Sequence, residues 1–325
     1  MIPCKHERVY PTTRASRLVL LDIARGVALV AMAVYHFSWD LEYFGYLDQG
    51  TILQPGWVFF ARSIAFSFMF LVGIGLFLGH GDVIRKRPFF VRLAKVALAA
   101  AAITIATWFA MPQGFIFFGI LHSIALGSVL ALPLIRLPWI ANVAIGAFFI
   151  AGARFLSHPF FDAPVWYWTG LSTIPPHSND YEPVFPWFGI IVLGLAAGRL
   201  AKERGFFTWL GTWNPDSLAA RILAFLGRHS LATYLVHQPV LFGSLFLLVF
   251  FGGGPDRTAS FINACEKNCV TNRGAEFCQN FCACVTSDLK KQNLWQGIHR
   301  QEISIASDQR VQTIIRQCTA RPSSQ

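Results

Sequence analysis

The sequence predicts an all-α polytopic transmembrane helical bundle of about seven spans, with a small extramembrane cysteine-rich C-terminal tail. Hydrophobic residues make up 54% of the 325 residues and charged residues only 14%, whereas an ordinary soluble domain carries about 25% charged residues. The composition changes at Gly252–Pro255, a glycine-rich stretch typical of a linker. We therefore divide the chain into a transmembrane domain, residues 1–251, and a linker with an external tail, residues 252–325.

Apolar stretches of about twenty residues mark the expected spans, because a helix of that length crosses the hydrocarbon core of a bilayer. The last stretch is longer than the others and is expected to begin with an interfacial turn. The predicted spans are residues 17–38, 57–79, 93–111, 115–135, 138–156, 185–202 and 221–251.

The basic residues predict the orientation of these spans. The first, third and fifth connections, residues 39–56, 112–114 and 157–184, contain no lysine or arginine. By the positive-inside rule they are external, so the N-terminus is cytoplasmic and, after seven spans, the C-terminus is external. The basic residues behind the net charge of +10 thus reflect the orientation of the chain in the lipid bilayer. They do not indicate a nucleic-acid partner, and none is expected. The basic residues are Lys5, Arg8, Arg14 and Arg17 in the N-terminal tail, Arg85, Lys86, Arg87, Arg92 and Lys95 in the second connection, and Arg136, Lys202, Arg204 and Arg221 further on.

The tail holds six of the seven cysteines, an even number that favours disulfides in an external segment. Two Cys-x3-Cys pairs each lie on one helical face, so together they can staple a helical hairpin. A zinc site is the competing interpretation, although its usual spacing is Cys-x2-Cys with histidines. The six cysteines are Cys265, Cys269, Cys278, Cys282, Cys284 and Cys318, whereas Cys4 is expected to be cytoplasmic and reduced.

The first helix carries charge at membrane depth, where ionisable residues are costly and indicate function. Asp22 and Arg25 are spaced i, i+3, and His36 and Asp40 are spaced i, i+4, so each pair can meet on one face. Arg25 and His36 are separated by three turns, about 16 Å along the axis, and project from nearly the same face. The alternative is a structural ion pair and a histidine at the helix end.

Further polar residues in apolar spans indicate a polar cavity inside the bundle. These residues are Arg62, His122 and His237. Each one alone is more often a hydrogen-bonded packing residue. Together with the charged first helix, however, they make four such positions on four spans, which favours a polar cavity. His177, Asp180 and Glu182 in the fifth connection can touch a polar substrate, or belong to a solvated loop. The chain has no phosphate-binding glycine loop, HExxH or GxSxG motif.

Five segments of the sequence resemble the bacterial relatives of heparan-α-glucosaminide N-acetyltransferase, within the membrane acyltransferase superfamily. The segments are LDIARGVALVAMAVYHFSWDLEYFG, ARSIAFSFMFLVGIGLFL, FGILHSIAL, FPWFGIIVLGLAAG and GRHSLATYLVHQPVL, which occur in the family's order over residues 15–250. The resemblance implies transfer of an acetyl group from cytoplasmic acetyl-CoA to an acceptor across the membrane. It also implies that this membrane is a bacterial inner (plasma) membrane, so that the external C-terminus is periplasmic. It also implies that Arg25 engages the donor and that His36 acts in the transfer.

One departure from the family concerns the loop after the first helix. The lysosomal enzyme has its proposed catalytic histidine there, whereas this chain has no histidine between Tyr43 and Gly56. We therefore expect an acceptor other than heparan and a mechanism that follows the wider superfamily.

The predicted function is that of an acetyl-CoA-dependent transmembrane acyltransferase acting on an envelope sugar or polyol. We assign His36 and Asp40 to catalysis, with Asp40 fixing the tautomer of His36. Two other functions are compatible with the sequence: a small-molecule or proton-coupled transporter, and a membrane anchor for a disulfide-rich module. No metal is expected, and the sequence predicts no particular oligomeric state. The residues assigned to binding of the cosubstrate are Arg25, Asp22, Arg62, His122 and His237.

Overall fold

The computed structural model describes residues 18–213, 215–252, 255, 258–271, 273–299 and 303–320. These residues form helices joined by short 3-10 turns, and the described part of the chain contains one isolated bridge, between Phe118 and Tyr181, and no strand. The helices are α1 Val19–Phe44, α2 Pro55–His80, α3 Lys86–Ala110, α4 Ile120–Ala131, α5 Trp139–Phe155, α6 Val184–Glu203, α7 Phe206–Thr212, α8 Leu218–Arg228, α9 Ser230–Gly252, α10 Thr258–Val270, α11 Ala275–Lys291, α12 Trp295–His299 and α13 Gln309–Ala320.

The predicted fold class is confirmed. Five of the described helices, α1, α2, α3, α6 and α9, are long and apolar enough to cross a membrane. The fourth and fifth predicted spans correspond to shorter apolar helices, Ile120–Arg136 and Trp139–Phe155.

Two predicted boundaries differ from the structure. Helix α3 begins at Lys86 rather than at residue 93, so Arg92 and Lys95 lie on a helix and not in a connection. The stretch 221–251 is two helices, because α8 ends at Arg228 and the next residue, His229, has a φ of −102° and a ψ of 30° that break the helical run. Ser217 starts α8 by accepting a hydrogen bond from the N–H of Ala220 at 3.2 Å. The expected interfacial turn is therefore a separate helix.

The chain divides into two compact units, residues 1–35 with 58–240, and residues 36–57 with 241–325. In the first unit α2 packs closely on α6 through glycines. A Cβ atom on Gly73 would lie 2.0 Å from the carbonyl oxygen of Ile191, and one on Gly194 would lie 2.2 Å from that of Phe70. Small residues permit this approach of two backbones, as expected for helices in a membrane.

Helices α1 and α8 also meet backbone to backbone in the first unit. A Cβ atom on Gly26 would lie 2.1 Å from the carbonyl oxygen of Leu223, and one on Gly227 would lie 1.8 Å from that of Asp22. This crossing brings Arg228, the last residue of α8, next to Asp22 on α1. The polar first turns of α1 are thereby joined to the end of α8.

The loop before α6 is fastened to the segment before α4. The N–H of Asn179 donates to the carbonyl oxygen of Gly114 at 2.9 Å, and the N–H of Glu182 donates to that of Phe118 at 3.0 Å. The hydroxyl of Ser178 donates to the carbonyl oxygen of Phe115 at 3.1 Å. These bonds fix residues 178–182 although they belong to a connection.

The second unit contains the cysteine-rich tail. The prediction of disulfides is confirmed: Cys265–Cys282 and Cys269–Cys278 staple α10 to α11, and Cys284–Cys318 joins α11 to α13. The expected helical hairpin is thus present. A small core supports it, made of Val285, Leu289, Leu294, Val311, Ile314 and Cys318.

Three predictions fall wholly or partly outside the described residues. The basic N-terminal tail and Cys4 lie there, as do Gly253 and Gly254 of the expected linker. The domain boundary at residue 251 stays a prediction.

Candidate functional site

The first unit contains a cavity of about 690 Å³, a volume in the range of ligand pockets. Its walls come from α1, α2, α3, α4, the end of α8 and α9, and most of the lining side chains are apolar. Four cations also line it: Arg25, Arg92, Lys95 and Arg228. The cavity therefore combines an apolar body with a concentration of positive charge.

The cations gather where α1, the first turns of α3 and the end of α8 meet. Gly75 on α2 leaves room for them, because a Cβ atom there would lie 3.3 Å from Nη2 of Arg25 and 3.9 Å from Nη1 of Arg92. Asp22 holds Arg25 at 3.0 Å and lies 3.9 Å from Arg228. Four cations at one cavity make its surface positive, so the arrangement suits an anionic ligand.

Comparison with known proteins identifies the family. The family model described as heparan-alpha-glucosaminide N-acetyltransferase, catalytic, matches residues 17–239. The chain belongs to this family. No curated protein and no solved structure matches it. The matched range contains every residue that lines the cavity and ends before the cysteine-rich tail.

Two of the residues that were assigned to cosubstrate binding lie together at the cavity. Arg25 lines it, and Asp22, only 3% exposed, fixes the position of the Arg25 guanidinium from one turn earlier. Arg62, His122 and His237 do not line the cavity, among the residues that the structure describes. For these three the assignment stays a prediction.

His122 is engaged by the protein on both sides of its ring. The N–H of Gly119 donates to Nδ1 at 3.2 Å, so Nε2 carries the proton and donates to the Thr104 hydroxyl at 3.1 Å. Thr104 in turn donates to the carbonyl oxygen of Ile116 at 2.7 Å. This chain of hydrogen bonds links α3 to the start of α4, so His122 holds the two helices together.

His237 and Arg62 occupy other places in the first unit. Nδ1 of His237 lies 2.5 Å from the carbonyl oxygen of Tyr234, one turn earlier on α9, and Tyr234 lines the cavity. Arg62 is exposed on α2.

His36 and Asp40 belong to the second unit, on the later turns of α1. Asp40 is fully buried and His36 is half-buried. The next turn of the helix anchors the following loop, because the two carboxylate oxygens of Glu42 accept from the N–H groups of Gly50 and Ile52, each at 2.9 Å. Burial of a carboxyl group one turn after a histidine is the arrangement that the catalytic assignment requires. The roles themselves stay predictions.

Sequence reasoning missed three of the cations that line the cavity. Arg92 and Lys95 were treated as loop residues that report topology, and Arg228 was not singled out. Only the start of α3 at Lys86 shows that Arg92 and Lys95 lie on a helix. The spacing of Pro88, Arg92 and Lys95 at three and four residues was the available signal, since it places all three on one helical face.

A pair of carboxyl groups lies at the start of α4. Oδ2 of Asp180 accepts a hydrogen bond from the N–H of Ile120 at 3.0 Å. Burial raises the pKa of Asp180 to about 6. Burial, and then the nearby charge of Asp180, raises the pKa of Glu182 well above its usual value, against the opposing effect of Arg62.

Proposed function

We propose that this chain transfers an acetyl group from acetyl-CoA to a hydroxyl group of an envelope sugar or polyol. The observation that carries the proposal is the cation-lined cavity inside the range that matches an N-acetyltransferase family. Acetyl-CoA carries phosphates at one end and a thioester at the end of a long flexible arm. The cavity offers matching regions, with cations near the first turns of α3 and apolar walls leading toward α4.

Arg25, Arg92, Lys95 and Arg228 are the proposed partners of the donor phosphates. A guanidinium binds phosphate in a bidentate manner, whereas a lysine ammonium acts as a point charge. Asp22 keeps the Arg25 guanidinium in place through the bond at 3.0 Å. The donor phosphates would then bring negative charge to the four cations that line the cavity.

His36 is the proposed residue that acts on the acyl group. Transfer requires the acceptor O–H to lose its proton, its oxygen to attack the acyl carbon, and the carbon–sulfur bond to break. The leaving thiolate then takes up a proton. An imidazole can carry the proton between these groups, because its ordinary pKa lies near neutral pH. Asp40, one turn later, would hold the tautomer of His36.

The proposed orientation places the cation end of the cavity in the cytoplasm, where acetyl-CoA is made. It rests on the basic residues of alternate connections. A reporter fused at Arg87 should then read as cytoplasmic, and one fused at Asp180 as periplasmic. The opposite pattern would reject the orientation and with it the route of the donor.

The experiment that tests the function is incubation of the purified full chain with radiolabelled acetyl-CoA and fractionated envelope glycans. We expect saturable binding of acetyl-CoA and label in a glycan fraction. Binding without transfer to any fraction, combined with uptake of label by vesicles that contain the protein, would instead favour the transporter. Absence of acetyl-CoA binding would reject the donor site.

A further inference from the structure

We propose that Glu182 is the acceptor-binding residue, and that its carboxyl group, beside Asp180, takes a hydroxyl group of a neutral sugar or polyol. This inference rests on the proposed function and adds to it the place and the chemical class of the second substrate. It is carried by the geometry of the segment 178–182 in the first unit.

The segment presents both carboxyl groups in the same direction. Tyr181 pairs with Phe118 in an isolated β-bridge, so the chain is extended at this point. In an extended chain, successive side chains point to opposite sides. Asp180 and Glu182 therefore share one side. Tyr181 lies on the other side and donates from its hydroxyl to the carbonyl oxygen of Tyr167 at 2.6 Å. Backbone bonds on both sides of the pair hold it rigidly, as a binding site requires.

The carboxyl group of Asp180 is already hydrogen-bonded within the protein. It accepts from the N–H of Ile120, in the first turn of α4, where a negative charge also meets the positive end of the helix dipole. Gly119 makes this contact possible, because a Cβ atom there would lie 2.2 Å from Oδ2 of Asp180. Asp180 is therefore a positioning residue.

The carboxyl group of Glu182 differs from that of Asp180, because one of its oxygens has no hydrogen-bond partner among the described residues. Oε2 is sealed from solvent and receives no hydrogen bond from any residue that the structure describes. A buried polar atom without a partner is costly, and native proteins satisfy nearly all such atoms. A ligand hydroxyl, which both donates and accepts, would satisfy this oxygen.

The position of the pair fits the second substrate. Asp180 is bonded to Ile120, and Ile120 and Tyr234 both line the cavity. Arg92 and Lys95 lie on the first turns of α3, and α4 begins after the far end of that helix. The carboxyl pair thus adjoins the part of the cavity that is remote from the cations. A donor held by its phosphates would extend its arm toward this end.

The surroundings of Glu182 favour a neutral acceptor over a cationic one. Asp180, Arg62 and Tyr234 are the ionisable groups that interact with it. The nearby charge of Asp180 raises the pKa of Glu182, and Arg62 opposes this effect. The largest cause of the raised pKa is burial, which disfavours the charged form of the carboxyl group. A hydroxyl group suits such a buried carboxyl group better than an ammonium group does, because it brings no charge into the site.

The first test uses dicyclohexylcarbodiimide, an apolar reagent that modifies protonated carboxyl groups in apolar surroundings. Wild-type protein in detergent is labelled, and the modified residue is located by mass spectrometry. We expect modification at Glu182, slowed severalfold by glucose or glycerol and less by the cation glucosamine. An unmodified Glu182, or a rate that neither neutral probe changes, would overturn the proposal, as would stronger protection by glucosamine.

The second test uses Glu182→Leu, which removes both carboxyl oxygens, with Glu203→Leu as the matched control. Glu203 lies at the opposite end of α6, where its side chain is paired with Arg199 at 3.0 Å and is 46% exposed. Loss of one good hydrogen bond should raise the KM for the glycan acceptor about tenfold in Glu182→Leu. Acetyl-CoA affinity should be unchanged in both variants, and the control should retain the wild-type KM. An unchanged acceptor KM in Glu182→Leu rejects the inference, whereas failure of the wild type to bind acetyl-CoA rejects the proposed function instead.

Discussion

Asp22 Oδ1 accepts a hydrogen bond from Arg25 Nη1 at 3.0 Å, and Asp22 is only 3% exposed. The pair lies one turn apart on α1, where α8 crosses it through Gly26 and Gly227. A buried carboxylate thus holds a guanidinium that lines the cavity. The same ion pair serves the fold and the proposed binding of the donor, and substitutions can separate these two roles.

Arg25→Ala should lower both stability and donor affinity. Removal of the guanidinium leaves the buried Asp22 with Arg228 at 3.9 Å, a loss of about 1–3 kcal/mol for a charged partner. The double variant Asp22→Asn with Arg25→Gln removes both charges, so it should recover folded protein without recovering acetyl-CoA binding. Thermal unfolding and equilibrium binding in detergent measure the two effects. Arg221→Gln is the control, since the Arg221–Asp216 pair is exposed and contributes little. Wild-type donor affinity in the double variant would exclude Arg25 from the site.

Gly73→Ala should destabilise the first unit, and Gly79→Ala should not. A Cβ atom on Gly73 would lie 2.0 Å from the Ile191 carbonyl oxygen, whereas one on Gly79, on the same helix, meets no atom within 4 Å. Overpacking of this kind costs about 1–3 kcal/mol. The comparison of thermal unfolding midpoints in detergent cancels the shared effect of alanine on helix propensity. Equal midpoints for the two variants would contradict the close packing of α2 on α6.

Asp180 and Asp162, both in the connection between α5 and α6, should give opposite pH dependences. The pKa of Asp180 is raised from 3.8 to about 6, so the folded chain holds the proton more tightly than the unfolded chain does. Its contribution to stability is complete below about pH 4 and is lost as the pH rises through 6, by about 3 kcal/mol. Asp180→Asn should remove this loss, because an amide oxygen can still accept from Ile120.

Asp162 supplies the matched comparison. Its oxygens accept from the Ser172 hydroxyl and from the N–H and hydroxyl of Thr173, all at 2.7 Å, and these bonds lower its pKa. Its contribution is therefore present above pH 4 and is lost as the pH falls. Unfolding midpoints are measured from about pH 2 to 7 for the wild type and each variant. The midpoint of the wild type minus that of Asp180→Asn should fall between about pH 4 and 7, whereas the midpoint of the wild type minus that of Asp162→Asn should rise between about pH 2 and 4. Slopes of the same sign would contradict the assignment for Asp180.

The sequence contains the information for the helices and for the stapled tail, because both depend on local spacing. Apolar stretches fix the positions of the spans, and two Cys-x3-Cys pairs fix which helical faces are joined. The partners Cys265–Cys282 and Cys269–Cys278 needed the structure, since an antiparallel hairpin is only one of the ways to pair four cysteines.

The cavity depends on packing between distant segments, which local patterns do not encode. Arg228 reaches Asp22 only because two glycines let α8 touch α1. Similarly, Asp180 meets Ile120 across sixty residues of sequence. Charge at membrane depth singled out Arg25, which lines the cavity. The same rule gave equal weight to His122, whose ring nitrogens are hydrogen-bonded to Gly119 and Thr104.

The tail cysteines should resist alkylation until they are reduced. The Cys284–Cys318 bridge spans 34 residues and Cys269–Cys278 spans 9, so chain entropy predicts losses of about 4 and 2.5 kcal/mol when each is removed. Serine pairs at these positions, compared by thermal unfolding of the full chain, measure the difference. Ready labelling of all six cysteines in intact oxidising cells would contradict an external, disulfide-bonded tail. Acetyl-CoA binding should survive both replacements, because the cavity lies in the first unit.

The roles of α1 and α3 can be separated by comparing His36→Ala with Arg92→Gln. His36→Ala should lower the rate of transfer by about 10²–10⁴, the usual contribution of a general acid–base group, and should leave the acetyl-CoA dissociation constant near the wild-type value. Arg92→Gln should raise that dissociation constant, because a cation that lines the cavity is lost, and should retain turnover at saturating donor. Turnover and binding of each variant are measured in detergent and normalised to folded protein. Wild-type turnover in His36→Ala would show that another group performs the transfer, even though the chain belongs to an N-acetyltransferase family.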